Sequence, residues 1–363
     1  MSENYFRKFN WDLLEKKDPR VIEVLLKFVD PRFLTSSGKI RDEKIFTTIA
    51  KRIEHDFFGD DWDDLNGVHK LAFGDRDTYN LMMIDDHRYD TLMDDPDYYK
   101  DLWENKVSYL CKYVERYNLQ SLVLGISGGL DSSVCAAIAW EVEKRTGIRS
   151  IGISLPIVNS VGEISSADIT GQAWYSPGNY ITIPLREAYE ATREVFVRAE
   201  EERPEMGAQT KIADGNIMAR LRMITLYNFA GINKGMVLST GNKTENLLGF
   251  FTIHGDEPMD YNLLDKLYKT EVYRFARWIR DNIAETDSQR QALQTAIDIT
   301  PTDGLGISSS DLEQIGAESY YQVDRILERF VDKKRIDISD IPQEIQDKVM
   351  DRVKASEFKQ RFI

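Results

Sequence analysis

Ser127, Gly128, Gly129, Leu130, Asp131, Ser132 and Ser133 follow one another without interruption, and a chain builds an anion cradle from residues of these types. Glycines let the backbone approach phosphate oxygens closely, and hydroxyls donate to them. The flanks predict the elements that hold such a turn. Leu122 to Ile126 is an aliphatic run suited to a buried strand. From Leu130 onward, Ala136, Ala137 and Ala139 favour a helix, with no Gly or Pro until Gly147. A helix that begins on such a turn offers unpaired first-turn amides and the positive end of its dipole to a negative group. Two glycines alone serve equally well as a plain structural turn.

The wider pattern separates these readings. It lacks the lysine of a kinase or GTPase phosphate loop and the third glycine of a dinucleotide-binding turn. It resembles the Ser-Gly-Gly-x-Asp-Ser loop of the ATP pyrophosphatase (PP-loop) superfamily, whose members cleave ATP between the α and β phosphates. That resemblance implies that Gly125, Ile126, Ser127, Gly128, Gly129, Leu130, Asp131 and Ser132 bind the ATP phosphates. A carboxylate inside a phosphate cradle requires a bridging cation, so Asp131 reads as a Mg²⁺ ligand. The ordinary alternative is a first-turn helix carboxylate.

Composition bounds the chemistry. The 363 residues suffice for two domains, and 42% hydrophobic residues is usual for a globular chain. A net charge of −14 argues against a nucleic-acid-binding surface. Cys111 and Cys135 both fall in predicted helices and form no disulfide or zinc framework. The N-terminus has no apolar signal core, and no run approaches the ~20 apolar residues of a membrane span. A cytoplasmic protein with no membrane or nucleic-acid partner is expected.

Two regions differ in texture. Over residues 1–95 one helix is predicted from Asp18-Pro19, with Val21, Ile22, Leu25, Leu26 and Val29 before Pro31. A second carries Ile45, Ile49 and Ile53, and an acidic stretch from Asp60 to Asp95 follows. Asp85 to Asp90 contains a histidine, but its spacing fits no metal template and reads as a solvated loop. Residues 96–363 form the second region. Asp95-Pro96 opens a helix striped by Tyr99, Leu102, Trp103, Leu110, Val114 and Tyr117. Strands are predicted at Leu122 to Ile126, Arg149 to Leu155, Tyr180 to Ile183 and Met236 to Ser239. Helices are predicted from about Asp214 to Ile232, over Tyr268 to Asn282, and over 310–333 and 341–352. This alternation predicts an α/β fold, a doubly wound parallel sheet with flanking helices, preceded by a mainly helical N-terminal extension.

The second half of a site is expected at another strand end. After Ser239 the chain presents Thr240, Asn242, Lys243, Thr244 and Glu245, types that elsewhere merely cap a helix. Thr240-Gly-Asn-Lys-Thr-Glu-Asn-Leu-Leu-Gly-Phe-Phe-Thr252, Gly255-Asp256, Asp260 and Leu267-Tyr-Lys-Thr-Glu-Val272 together resemble NAD synthetase. So do Gly215-Asn-Ile-Met-Ala-Arg-Leu-Arg-Met223 and Pro301-Thr302, and the similarity runs collinearly over about residues 100–363. The family amidates deamido-NAD with ATP through an acyl adenylate, releasing AMP and pyrophosphate. The resemblance implies that Asp131 and Glu245 ligate Mg²⁺, and that Thr240, Lys269 and Thr302 contact ATP. Lys269, with Asp131, would carry the catalytic charge. Arg220, Asp260 and Lys359 would contact deamido-NAD. Without the resemblance, Arg220 and Arg222 read as a solvent-facing helix edge and Lys269 as a solvated lysine.

The chain departs from the family pattern in three places. Ile253-His254 stands where Lys-Tyr is common, Glu257-Pro258 replaces a glycine pair, and Phe358-Lys359 replaces His-Lys. ATP handling is therefore expected intact, with dinucleotide recognition altered in detail. The first cysteine is Cys111, so residues 1–95 hold no thiol nucleophile for glutamine hydrolysis, and ammonia is the expected nitrogen source. A tRNA-modifying PP-loop enzyme would favour basic surface. A non-catalytic nucleotide sensor would have lost Asp131, Glu245 or Lys269. The family's homodimeric state implies a homodimer here.

Overall fold

The computed structural model describes residues 98–158, 161–208, 210–256, 259–299, 311–334, 336 and 338–360, all of them inside the unit Pro96–Ile363. The helices and the acidic loop expected over residues 1–95 lie outside the described residues, as do Thr302 and Glu257-Pro258.

The first described helix, α1 (Tyr98–Arg116), buries Trp103, Val107, Leu110 and Val114, the helical stripe visible in the sequence. It leads to β1 (Ser121–Gly125), whose first four residues are buried, as a strand covered on both faces requires. Next come α2 (Leu130–Thr146), β2 (Arg149–Ser154), α3 (Val161–Trp174) and β3 (Tyr180–Thr182). Then follow α4 (Arg186–Glu202), α5 (Lys211–Ile232), β4 (Gly235–Ser239), α6 (Lys243–Leu248) and β5 (Tyr261–Asn262). The chain closes with α7 (Lys269–Asn282), α8 (Asp287–Asp298), α9 (Asp311–Ile315), α10 (Tyr320–Phe330) and α11 (Gln343–Gln360).

The five strands form one sheet in the order β3-β2-β1-β4-β5, and every pair is parallel. This is the doubly wound α/β sheet that the alternation predicts. Gly125 pairs with Ile153 and Leu124 with Leu238, so the carboxyl ends of β1, β2 and β4 share one edge. The winding direction reverses between β1 and β4, which places a crevice beyond those two ends. Val123, Ile151, Ile153, Leu226 and Val237 build the core on one face of the sheet. On α2 the small residues Ala136, Ala137 and Ala139 are fully buried, which lets the helix sit close to its neighbours.

Expected and observed elements differ in a few places. The helix expected over 310–333 is broken into α9 and α10, because Gly316 takes φ +75° and ends α9 in a left-handed cap. The helix expected over 341–352 continues to Gln360. β5 has two residues, too few to carry an alternation signal. α8 starts with a reciprocal cap between Thr286 and Gln289, a sequence signature that the periodicity reading did not use.

A second apolar cluster joins α6, α10 and α11 through Leu248, Val323, Ile326, Leu327, Ile345, Val349 and Val353. Each full burial of such a side chain contributes about 1.5–3 kcal/mol. α11 also satisfies the open carbonyls at the end of α6. Ser356 Oγ donates to Leu247 O at 2.7 Å and Arg352 Nε to Leu248 O at 3.2 Å. Lys359 Nζ donates to Gly249 O at 2.8 Å and to Phe251 O at 2.6 Å. The position of α6, which follows β4, is thus fixed from both ends.

Candidate active site

The glycine turn leaves β1 at Gly125 and enters α2 at Leu130. Gly128 has φ +82°, and a Cβ there would lie 2.4 Å from Ala167 N and 2.6 Å from Ser166 C. The turn is therefore pressed against α3, and only glycine fits at that position. Gly129 is the N-cap of α2 and provides no side-chain cap, so first-turn amides remain for a ligand. Ser127 Oγ accepts from Gly129 N at 3.2 Å and lies 3.0 Å from Ser132 Oγ. Ser132 and Ser133 donate to Gly129 O at 3.0 and 2.9 Å. The hydroxyls thus brace the turn in the form that presents its backbone.

Asp131 sits in the first turn of α2, with the carboxylate reaching across the crevice to groups that follow β4. Asn242 Nδ2 donates to Asp131 Oδ1 at 2.8 Å. The same Asn242 caps α6: its Oδ1 accepts from Glu245 N at 3.0 Å, while Glu245 Oε2 accepts from Asn242 N at 3.3 Å. The capping role open to this segment is therefore real, and it also serves the site. One residue both starts the helix and aims two carboxylates.

Lys269, the first residue of α7, lies between those carboxylates. Its Nζ is 2.5 Å from Asp131 Oδ2 and 2.8 Å from Glu245 Oε1, with the Tyr320 ring centroid 5.6 Å away. Lys269 is only 3% exposed, which corrects the solvated reading. Burial pulls the ammonium toward neutrality, but the Asp131 and Glu245 charges outweigh it and hold its pKa well above the ordinary lysine value.

The remaining expected site residues are engaged differently. Thr240 is half-buried just past β4. Arg220 is exposed on α5 and donates to Ile253 O at 3.2 Å, while Arg222 Nε donates to Leu155 O at 3.2 Å. Asp260 accepts from Val237 N at 2.8 Å and from Tyr227 Oη at 3.1 Å. Lys359 is engaged by the carbonyls of Gly249 and Phe251. Arg220, Asp260 and Lys359 thus each engage backbone groups of the protein itself.

Among the described residues no group of three or more His, Cys, Asp or Glu side chains is arranged to hold a metal ion. Mg²⁺ usually takes one or two carboxylates and completes its shell with water and phosphate oxygens. Asp131 and Glu245 both reach a single cationic centre, Lys269 Nζ, so an oxygen-donor pair of that kind is present. The residues fit the ion. Sequence reasoning missed one buried polar residue near the site, Asp324, 0% exposed on α10. The available signal was phase: Asp324 stands four residues after Tyr320 and three before Leu327, on the buried stripe.

Among the described residues no helix is long and apolar enough to cross a membrane. The NAD synthase family model matches residues 102–362. The NH₃-dependent NAD⁺ synthetase of Thermoplasma acidophilum is 35% identical over 243 residues, covering 66% of this chain and 87% of that protein. The enzyme of the same name from Finegoldia magna is 31% identical, covering 73% of this chain and 95% of that protein. In fold the chain is similar to the NMN synthetase structure from Francisella tularensis, with TM-score 0.57 at 24% identity over 72% of this chain and 95% of that one. With the glycine turn, the acidic pair and the buried lysine in one crevice of this sheet, the chain belongs to the NAD synthase family.

Proposed function

We propose that this protein makes NAD⁺ by ATP-dependent amidation of deamido-NAD with ammonia, releasing AMP and pyrophosphate. The observation that carries the reading is the placement of Lys269 between Asp131 and Glu245, beside the glycine turn. A nicotinate carboxylate is a poor electrophile. One of its oxygens attacks the α-phosphorus of ATP, the bond to the β-phosphate oxygen breaks, and pyrophosphate leaves. Ammonia then attacks the acyl carbon, gives up a proton, and AMP leaves with the bonding pair.

The protein groups serve these steps by position and charge. The turn from Gly125 to Ser132 receives the phosphate oxygens, with backbone amides at the start of α2 as donors. The Lys269 ammonium offsets negative charge on the polyphosphate as the pyrophosphate departs. Asp131 and Glu245 would hold Mg²⁺, which when bound offsets phosphate charge and polarises the α-phosphorus. Thr240 and Thr302 are assigned to ATP. Arg220, on the exposed face of α5, is assigned to deamido-NAD.

Incubation of the purified protein with ATP, Mg²⁺, deamido-NAD and ammonium, followed by assay of NAD⁺ and pyrophosphate, tests the reading. Equimolar products are expected. Pyrophosphate release that depends on tRNA and not on deamido-NAD would overturn it. Glutamine replacing ammonium is expected to support no turnover, as the NH₃-dependent relatives suggest.

A homodimer in the cytoplasm is part of the same reading. The 17-residue helix α4 has no buried residue and exposes Val195 and Phe196. The adjoining α5 exposes Ile212 and Ile224. An apolar surface of this kind fits burial against a second copy. Light scattering should give twice the chain mass, and Phe196→Asp should shift it toward the monomer.

A further inference from the structure

We propose that Asp324 is a positioning residue of this site: its carboxylate ties the first turns of α6 and α7 together, so that Glu245 and Lys269 converge on Asp131. Asp324 Oδ1 accepts from Thr244 Oγ1 at 2.5 Å. Its Oδ2 accepts from Thr270 N at 2.9 Å and from Thr270 Oγ1 at 2.8 Å. Thr244 Oγ1 accepts in turn from Lys269 N at 2.8 Å. One carboxylate thus engages the second residue of both helices, and the bridge continues to the backbone of the lysine itself.

The neighbours in sequence give this clamp its purpose. Glu245 follows Thr244, and Lys269 precedes Thr270. Both helices point their N-termini, with their positive dipole ends, at the same buried carboxylate, which compensates part of its desolvation. A purely apolar residue in phase with Tyr320 and Leu327 would have sealed the core more cheaply. It would also have left the hydroxyl of Thr244 and the amide of Thr270 without this acceptor. α10 and the cluster around Val323 and Ile326 then act as the base against which the two helix starts are registered. Displacement of either start moves a charged side chain relative to Asp131, and an ångström at that distance matters.

The inference rests on the reading of Glu245 and Lys269 as site groups, and the test separates the two. Asp324→Asn keeps volume but replaces one acceptor oxygen by an amide donor facing donors. Measured well below its melting temperature, this variant is expected to lose about tenfold to hundredfold in kcat. It should also need more Mg²⁺ for half-maximal rate, with the KM for deamido-NAD unchanged. Thr244→Val, which removes the bridging hydroxyl and is nearly isosteric, should move the same two parameters and decides the matter if Asp324→Asn does not fold. Val349→Ala, a cavity in the adjoining core, should lower the melting temperature and leave both parameters alone. Folded Asp324→Asn and Thr244→Val proteins within about twofold of wild type in kcat and Mg²⁺ requirement would overturn the clamp. Glu245→Gln in the same assay marks the boundary. Its inactivity alongside active clamp variants refutes the clamp alone, whereas full activity in Glu245→Gln refutes the underlying site assignment.

Discussion

Lys269 Nζ and Asp131 Oδ2 lie 2.5 Å apart although their residues are separated by 138 positions in the chain. With Glu245 on its other side at 2.8 Å, the lysine is the internal counter-ion of an acidic pair. Asp131 and Glu245 are also the carboxylates that would hold a divalent cation, and phosphate oxygens would offer the lysine a new partner. The site is thus held in register by its own charges.

Removal of the ammonium makes this visible. Lys269→Met leaves two largely buried carboxylates facing each other, a loss expected to cost about 3–5 kcal/mol. Mg²⁺ should replace part of that charge. The melting temperature of the variant should rise on adding Mg²⁺ without nucleotide, by more than that of the wild type. Calorimetry with Mg²⁺ and with a chelator is the measurement. An equal response in both proteins would mean that the lysine and the cation do not compete for these oxygens.

The two glycines of the turn should behave differently. Gly128→Ala meets a left-handed backbone, about 1–2 kcal/mol of strain, and backbone atoms of Ser166 and Ala167 closer than any Cβ tolerates. Gly129 has φ −78°, and a Cβ there meets only Ser127 Oγ at 3.3 Å. Gly128→Ala should therefore lower both the melting temperature and turnover. Gly129→Ala should fold normally. Equal thermal stability of the two variants would show that the contact between the turn and α3 does not constrain the fold.

The division between what could and could not be read from the sequence has physical causes. Strand ends and the glycine turn are local features, and hydrophobic period and turn chemistry located β1, β2 and β4 to within a residue or two. Asp131, Glu245 and Lys269 were found through resemblance, since a lysine opening a helix looks solvated until tertiary packing buries it. Asp324 escaped because its partners, Thr244 and Thr270, are 80 and 54 residues away. The break at Gly316 escaped because the apolar period runs through it.

Asp324 also predicts a pH dependence. Burial raises its carboxyl pKa to about 7, with donors from Thr244 and Thr270 opposing and the Glu328 charge adding to the rise. The folded protein therefore holds this proton to higher pH than the unfolded chain, whose carboxyl titrates near 4. Its contribution to stability is present below that lower value and is lost as pH rises through the upper one. The stability advantage of wild type over Asp324→Asn should shrink between about pH 4 and pH 7 and level off above, measured by denaturant titration. A gap independent of pH would show that the group does not titrate in this window.

Lys359 separates two roles that the sequence alone merged. The family pattern assigns it to the dinucleotide, whereas the structure engages Nζ with Gly249 O and Phe251 O. Burial lowers its pKa, which Asp256 partly offsets. A cation placed among carbonyls at the end of α6 acts as a helix C-cap and anchors α11. Lys359→Met should then cost about 1–3 kcal/mol, the range for stranding buried acceptors of a charged donor. The KM for deamido-NAD should change by less than about threefold, since an interaction made only within the protein contributes nothing to substrate binding. Unchanged stability with a large rise in that KM would return Lys359 to the substrate. It would also show that α6 is held by Ser356 and Arg352 without it.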